Sequence, residues 1–203
     1  MGLGRTLLAG IAGGIGMYIW ASLAHVVLPL GSTGVQEITT NEPAFLAGMQ
    51  SSLGTNSGLY LFPSTGLKPG DSSEQRSAAM KAYDGKLAAN PSGLLVYHPP
   101  GRKTLTAGQL LTEFLGEMVA VLIAAFLLVQ THLSTYAGRV GFITVAGILA
   151  AIPTNVSYWN WYGFPASYTA AYMFIQIVGF VVAGLIAAAI LGRRKASSVT
   201  AAT

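Results

Sequence analysis

Four apolar runs, at residues 7–28, 110–129, 140–156 and 166–191, dominate this chain, and a long polar insertion separates the first from the second. A helix rises ~1.5 Å per residue, so about 20 mostly apolar residues cross the ~30 Å hydrocarbon core of a bilayer. Each run meets or nearly meets that length. Irregular backbone would leave N–H and C=O groups unpaired in lipid, so the runs must be helical. The predicted fold class is an all-α membrane protein, with four transmembrane helices and a small extracytoplasmic α+β insertion between spans one and two.

Charge supports this reading. Only 9% of the residues are charged and 52% are hydrophobic, against about 25% charged in an ordinary soluble domain. So few charges could not cover a soluble core. The net charge is +4, but the eleven basic residues are dispersed or sit at span ends, where they set topology, so nucleic acid is not a predicted partner. Without cysteine, thiolate catalysis, Cys-ligated zinc and iron–sulfur clusters are excluded. Arg5 and the small-residue stretch Ser22-Leu23-Ala24 imitate a signal peptide, yet the apolar run exceeds the usual h-region, so a retained span is expected.

The chain therefore divides into a first transmembrane helix (1–30), an extracytoplasmic insertion (31–106), a three-helix transmembrane region (107–192) and a cytoplasmic basic tail (193–203). Arg5 precedes span one, Arg139 lies between spans two and three, and Arg193, Arg194 and Lys195 follow span four. The loop between spans three and four has no Lys or Arg, which puts both termini in the cytoplasm.

The insertion carries helix and strand signals twice in the same order. Asn41 can cap a helix running to about Leu53, followed by Leu59-Tyr60-Leu61-Phe62; Ser72 or Ser73 can cap another running to about Ala89, followed by Leu94-Leu95-Val96-Tyr97. Two helices and a two-stranded ribbon are predicted, serving either as a docking platform or as a lid. A two-stranded unit is marginal alone and should pack on something.

Within the spans, Gly10-xxx-Gly14, Ala12-xxx-Gly16 and Gly179-xxx-Ala183 permit close helix approach, either between spans one and four or to another subunit. Pro153 is expected to kink or end span three near Thr154 and Asn155. Polar residues at membrane depth carry the functional weight. Glu113 and Glu117 lie one turn apart on span two, and His25, Asn155, Tyr158 and Gln176 can reach a similar layer. Three uses are open: polar fixings between helices, a proton or cation path, or a metal site of His25, Glu113 and Glu117. In the predicted threading His132 falls at the inner boundary and His98 in the outer insertion, both too far from His25 for a bis-histidine haem, and His132 is expected to help terminate span two.

The run Tyr158-Trp159-Asn160-Trp161-Tyr162-Gly163-Phe164-Pro165, with Leu28-Pro29 and Gly58-Leu59-Tyr60-Leu61-Phe62-Pro63, resembles small uncharacterised four-span bacterial membrane proteins. The resemblance implies a bacterial cytoplasmic membrane and no activity. Trp159, Trp161, Tyr162 and Phe164 read as an interfacial belt or as a surface for a bound lipid, quinone or pigment; no cofactor is predicted otherwise. Packing features abound, whereas nucleotide loops and catalytic triads are missing. The functional expectation is an accessory, non-catalytic subunit that packs against other membrane protein subunits and lipids in a larger complex of redox or energy-converting type. The alternatives are a small ion or solute transporter built on Glu113 and Glu117, and an intramembrane metalloenzyme using His25 with both carboxylates.

Overall fold

The computed structural model describes residues 2–192, so the basic tail expected at 193–203 and the amino-terminal Met1 lie outside the described residues. Two compact units emerge: one holds the four long helices, and the other is Gln36–Thr104. The long helices are α1 (Leu3–Val26), α4 (Ala107–Val129), α5 (Tyr136–Tyr162) and α6 (Ala166–Gly192), each long and apolar enough to cross a membrane. Between α1 and α4 come α2 (Glu42–Leu53), β1 (Gly58–Phe62), α3 (Ser73–Ala89) and β2 (Gly93–Tyr97). This is a multi-pass membrane protein with four spans and an α+β insertion.

Helix ends follow local chemistry. Thr106 and Gln109 close a capping box at the start of α4, and the Thr135 side chain accepts from the Gly138 N–H at the start of α5. At the end of α4 the Gln130 N–H and the Thr131 hydroxyl and N–H satisfy the last carbonyls, so these residues do the terminating expected of His132. Gly163 adopts the left-handed φ of 68° that lets the chain reverse after α5 into Pro165 and α6.

Span three is longer than its apolar run. Helix α5 continues through Pro153 to Tyr162, where a kink or end near Thr154 was expected. Proline removes one donor and leaves the following N–H groups intact, and the Asn155 Nδ2 adds a 2.8 Å bond to the Ala151 carbonyl beside the gap. The aromatic run from Tyr158 to Tyr162 is therefore the last turn of a helix, not a loop. Arg5 and Arg139 likewise stand inside helices instead of ahead of them. Arg5 Nε donates to the Ile190 carbonyl at 2.7 Å, and Arg139, only 7% exposed, donates Nε to the Leu133 carbonyl at 3.2 Å. Folding back onto free carbonyls lets both residues lie within the first turns of their helices.

The helices lie in the order α4, α1, α6, α5, each antiparallel to the next, and glycines line all three seams. A Cβ on Gly10 would meet Leu122, and one on Gly14 would meet Met118, so this pair packs α1 on α4. Gly13 sits between Val121 of α4 and Ala183 of α6, Gly16 faces Ile186 of α6, and Gly179 receives Met17 and Trp20. Gly10 and Gly14 thus join spans one and two, a correction to their assignment against span four. Gly147 admits Phe180, and Gly184 lies against Val140 and Ile143, closing α5 on α6. In hydrocarbon no solvent drives these faces together, so dispersion contacts made at close backbone approach hold them.

Helices α4 and α5 are sequential but share little interface. Their buried residues are Val121, Ala124, Ala125 and Leu128 on one, and Arg139, Ile143, Gly147 and Ala151 on the other, all but Ala151 nearer the 130–135 connection than the opposite end. Beyond Val121 toward its start, α4 buries no residue, and beyond Ala151 toward its end, α5 buries none.

The insertion has the predicted elements. β1 and β2 pair antiparallel with Tyr60 opposite Leu95, and Ser72 with Gln75 forms a capping box for α3. Asn41 precedes α2 as expected, but its φ of 55° turns the side chain out of capping geometry and it makes no cap bond. Tyr97 is buried; its hydroxyl donates to the Gly54 carbonyl at 2.9 Å and its ring meets Tyr60 edge-on. Neither α2 nor α3 buries any residue, so this unit has almost no apolar core of its own.

Candidate functional site

A cavity of about 370 Å³ lies between α1, α4 and α6. Helix α1 contributes Met17, Trp20, Ala21 and His25; α4 contributes Glu113, Gly116, Glu117 and Ala120; α6 contributes Tyr172, Gln176, Gly179 and Phe180. Only Ala150 comes from α5, which packs on α6 and shares little interface with α4. At ~1.5 Å per residue, Glu113 and Glu117 stand about 9 and 15 Å along α4 from its first residue, well inside a bilayer-spanning helix.

The two carboxyls differ in setting. Glu113 is exposed, whereas Glu117 is half-buried and its Oε2, shielded from contact, has no hydrogen-bond partner among the described residues. A carboxyl at this depth is costly unless a donor, a cation or a proton satisfies it. The expected bonds from a glutamate to His25, Asn155 or Tyr158 are not made. His25 Nδ1–H donates to the Ala21 carbonyl of its own helix at 2.9 Å, and its ring sits edge-on to Tyr172. Accordingly His25, Glu113 and Glu117 do not converge as a metal-ligand set, and no group of three His, Asp or Glu side chains does so among the described residues.

The remaining polar residues separate in the same way. Asn155 Nδ2 reaches Gln176 Oε1 at 3.4 Å, a side-chain link between α5 and α6 next to the cavity. Tyr158, one turn beyond Asn155, is 43% exposed and joins a chain of rings instead. That chain runs from Tyr162 to Tyr158, Phe164, Tyr168, Tyr172 and His25, with centroid separations of 5.8, 5.2, 5.4, 4.3 and 5.8 Å. Trp159 and Trp161 stand apart from it, 50% and 78% exposed. The predicted aromatic group is thus two surfaces: one stacked across the α5–α6 turn, and one free.

Trp20 escaped the sequence reading. Its Nε1 donates to the Ile175 carbonyl at 2.9 Å and its ring forms part of the cavity wall. An indole inside an apolar span needs an acceptor, and that requirement was the available signal. Chemically, the cavity offers carboxyl and amide acceptors among apolar and aromatic walls, suited to holding a cation or a donor-bearing side chain. No protein-family model, curated protein or solved structure matches this chain.

Proposed function

We propose that this chain is an accessory, non-catalytic subunit of a larger assembly in the bacterial cytoplasmic membrane, with both termini cytoplasmic and the insertion outside. The observation that carries the reading is the polar face of α4, where Glu113 is exposed and Glu117 is without a partner for its Oε2 among the described residues, both inside a helix long and apolar enough to span the membrane. On α5, Thr154, Ser157 and Asn160 are also exposed near the same end. Lipid chains cannot satisfy these groups; a helix of a partner subunit bearing donors or a basic residue can. The poorly cored insertion would serve as a second docking platform, outside the membrane. Exposed Trp159 and Trp161 would then border the contact and could hold a lipid tail or quinone ring.

Site-specific photocrosslinking in native membranes tests this. A crosslinker at Thr112 or Thr154 should yield a discrete protein adduct, while one at Ile11 of α1, which is 40% exposed, serves as a lipid-facing control. Equal labelling at all positions, or none at the two threonines, would overturn the assignment.

The second reading is transport of an ion or small solute through the same cavity. It rests on the shielded Glu117 Oε2, which is placed to bind a proton or cation. The metalloenzyme alternative has no assembled ligand set to support it.

A further inference from the structure

At the opposite end of the bundle, the seam between α1 and α6 opens into a groove of about 930 Å³ lined by Gly2, Arg5 and Leu8 on one side and Leu185, Ile186 and Ala189 on the other. Here we propose a binding site for an anionic phospholipid, with its phosphate on Arg5 and its upper acyl chain along Leu8 and Leu185. Three features converge on that occupant.

The first is an unsatisfied cationic group. Arg5 Nε is committed to the Ile190 carbonyl at 2.7 Å, which anchors the guanidinium against α6, and Nη2 is closed off with no acceptor among the described residues, so the charge is uncompensated and Nη1, with two N–H groups, is the donor left for a ligand. Guanidinium groups bind phosphate through paired N–H donors. The second is the field at this end. Gly2 precedes α1 without a side-chain cap, so the first-turn N–H groups and the helix dipole add positive potential beside Arg5. No acidic residue stands in the first turn of α1 or the last turn of α6, and the sequence continues from Gly192 into Arg193, Arg194 and Lys195.

The third is the apolar continuation. Leu8 and Leu185 are 57% and 43% exposed, and with Ile186 and Ala189 they make a wall running away from Arg5 toward the bundle centre. Leu185 to Ile190 spans roughly 7–8 Å along α6, which matches the glycerol and first carbons of a chain hanging from a phosphate. A soluble phosphate would leave this wall uncovered, and a zwitterionic lipid would place a second cation beside Arg5. Basic pockets between transmembrane helices at the membrane surface are recurrent sites for anionic headgroups.

The test is native mass spectrometry of the full-length, delipidated chain offered dioleoyl phosphatidylglycerol and dioleoyl phosphatidylcholine in equal amounts. Phosphatidylglycerol should be retained about fivefold in excess, and Arg5→Gln should bring the ratio near one while Arg5→Lys keeps most of it. Because Arg5→Gln also removes the Ile190 bond, Ala189→Phe provides a second variant: it fills the groove, leaves Arg5 in place, and should lower retention similarly. Equal retention of both lipids by the wild type would overturn the proposal, as would an unchanged preference in Arg5→Gln. Displacement of the bound lipid by inorganic phosphate would identify a soluble-anion site instead. Loss of preference on changing Arg193, Arg194 and Lys195 to Gln, without loss in Arg5→Gln, would assign the lipid to the tail and not to the groove.

Discussion

A methyl group added to Gly14 would lie 2.8 Å from the Cα of Met118, closer than two carbon atoms can approach without displacement. The α1–α4 seam therefore depends on the hydrogen at that position, and the neighbour is backbone, which cannot swing aside.

Gly14→Leu is expected to separate α1 from α4 and to destabilise the bundle by about 1–3 kcal/mol, the usual range for overpacking. The loss should appear in a denaturation titration of the purified chain. A neighbouring exposed position such as Ile15, 42% exposed, should tolerate Leu without change. Unaltered stability of Gly14→Leu would show that the two helices do not pack as described. The reduction, if found, concerns folding of this chain and says nothing of a partner.

Replacing Glu113 and Glu117 together by Gln distinguishes subunit from transporter. The amide retains hydrogen-bonding capacity without a titrating proton, so the double variant should insert and fold normally. On the accessory-subunit reading, proteoliposomes of the wild type conduct neither protons nor potassium. Flux in the wild type that disappears in the double variant would replace that reading with transport.

In the insertion, Ser72→Ala removes the hydroxyl that accepts from the Gln75 N–H, leaving the bond from the backbone N–H of residue 72 to Gln75 Oε1, and should cost about 1 kcal/mol of local helix stability, read as faster amide exchange through α3. The pH response is fixed in sign by Glu74. Bonds from its backbone N–H and from the Ser72 hydroxyl hold its carboxyl below the ordinary 4.5. A depressed value in the folded state means that its contribution is present above 4.5 and is lost as pH falls through the lower, folded value. Exchange in the first turn of α3 should therefore rise on acidification, and less so in Ser72→Ala. An equal rise in both would remove Ser72 as the cause.

Orientation is measurable because the chain contains no cysteine. Lys86→Cys, in the last turn of α3, should react with a membrane-impermeant thiol reagent added from outside intact cells. Reaction only from the cytoplasmic side would invert the proposed topology.

The number of spans, their approximate ends and the helix–strand order of the insertion were all legible in the residues. Helical length in hydrocarbon depends on about 20 apolar residues in succession, and Ser72 with Gln75 forms its cap within four residues of chain. Such features involve neighbours along the sequence. The apolar run of span three misplaced its end for the same reason: Pro153 and the polar Asn155 lower hydropathy, but backbone bonding continues to Tyr162.

Which side chains meet was decided elsewhere. Gly10 and Gly14 face α4, Gly16 faces α6 and Gly13 lies between the two, a division of one helix's small residues that spacing alone permits in either order. Likewise Asn155 reaches Gln176 while Tyr158 does not reach the carboxyls, since the course of α5 past α6 places them on different surfaces. Bilayer thickness and the period of the helix are properties of a single segment, so the sequence by itself determined four spans and their polar positions. The pairing of helix faces is a relation between segments far apart in the chain, set by the mutual fit of backbones and side chains, and only the tertiary structure could decide it.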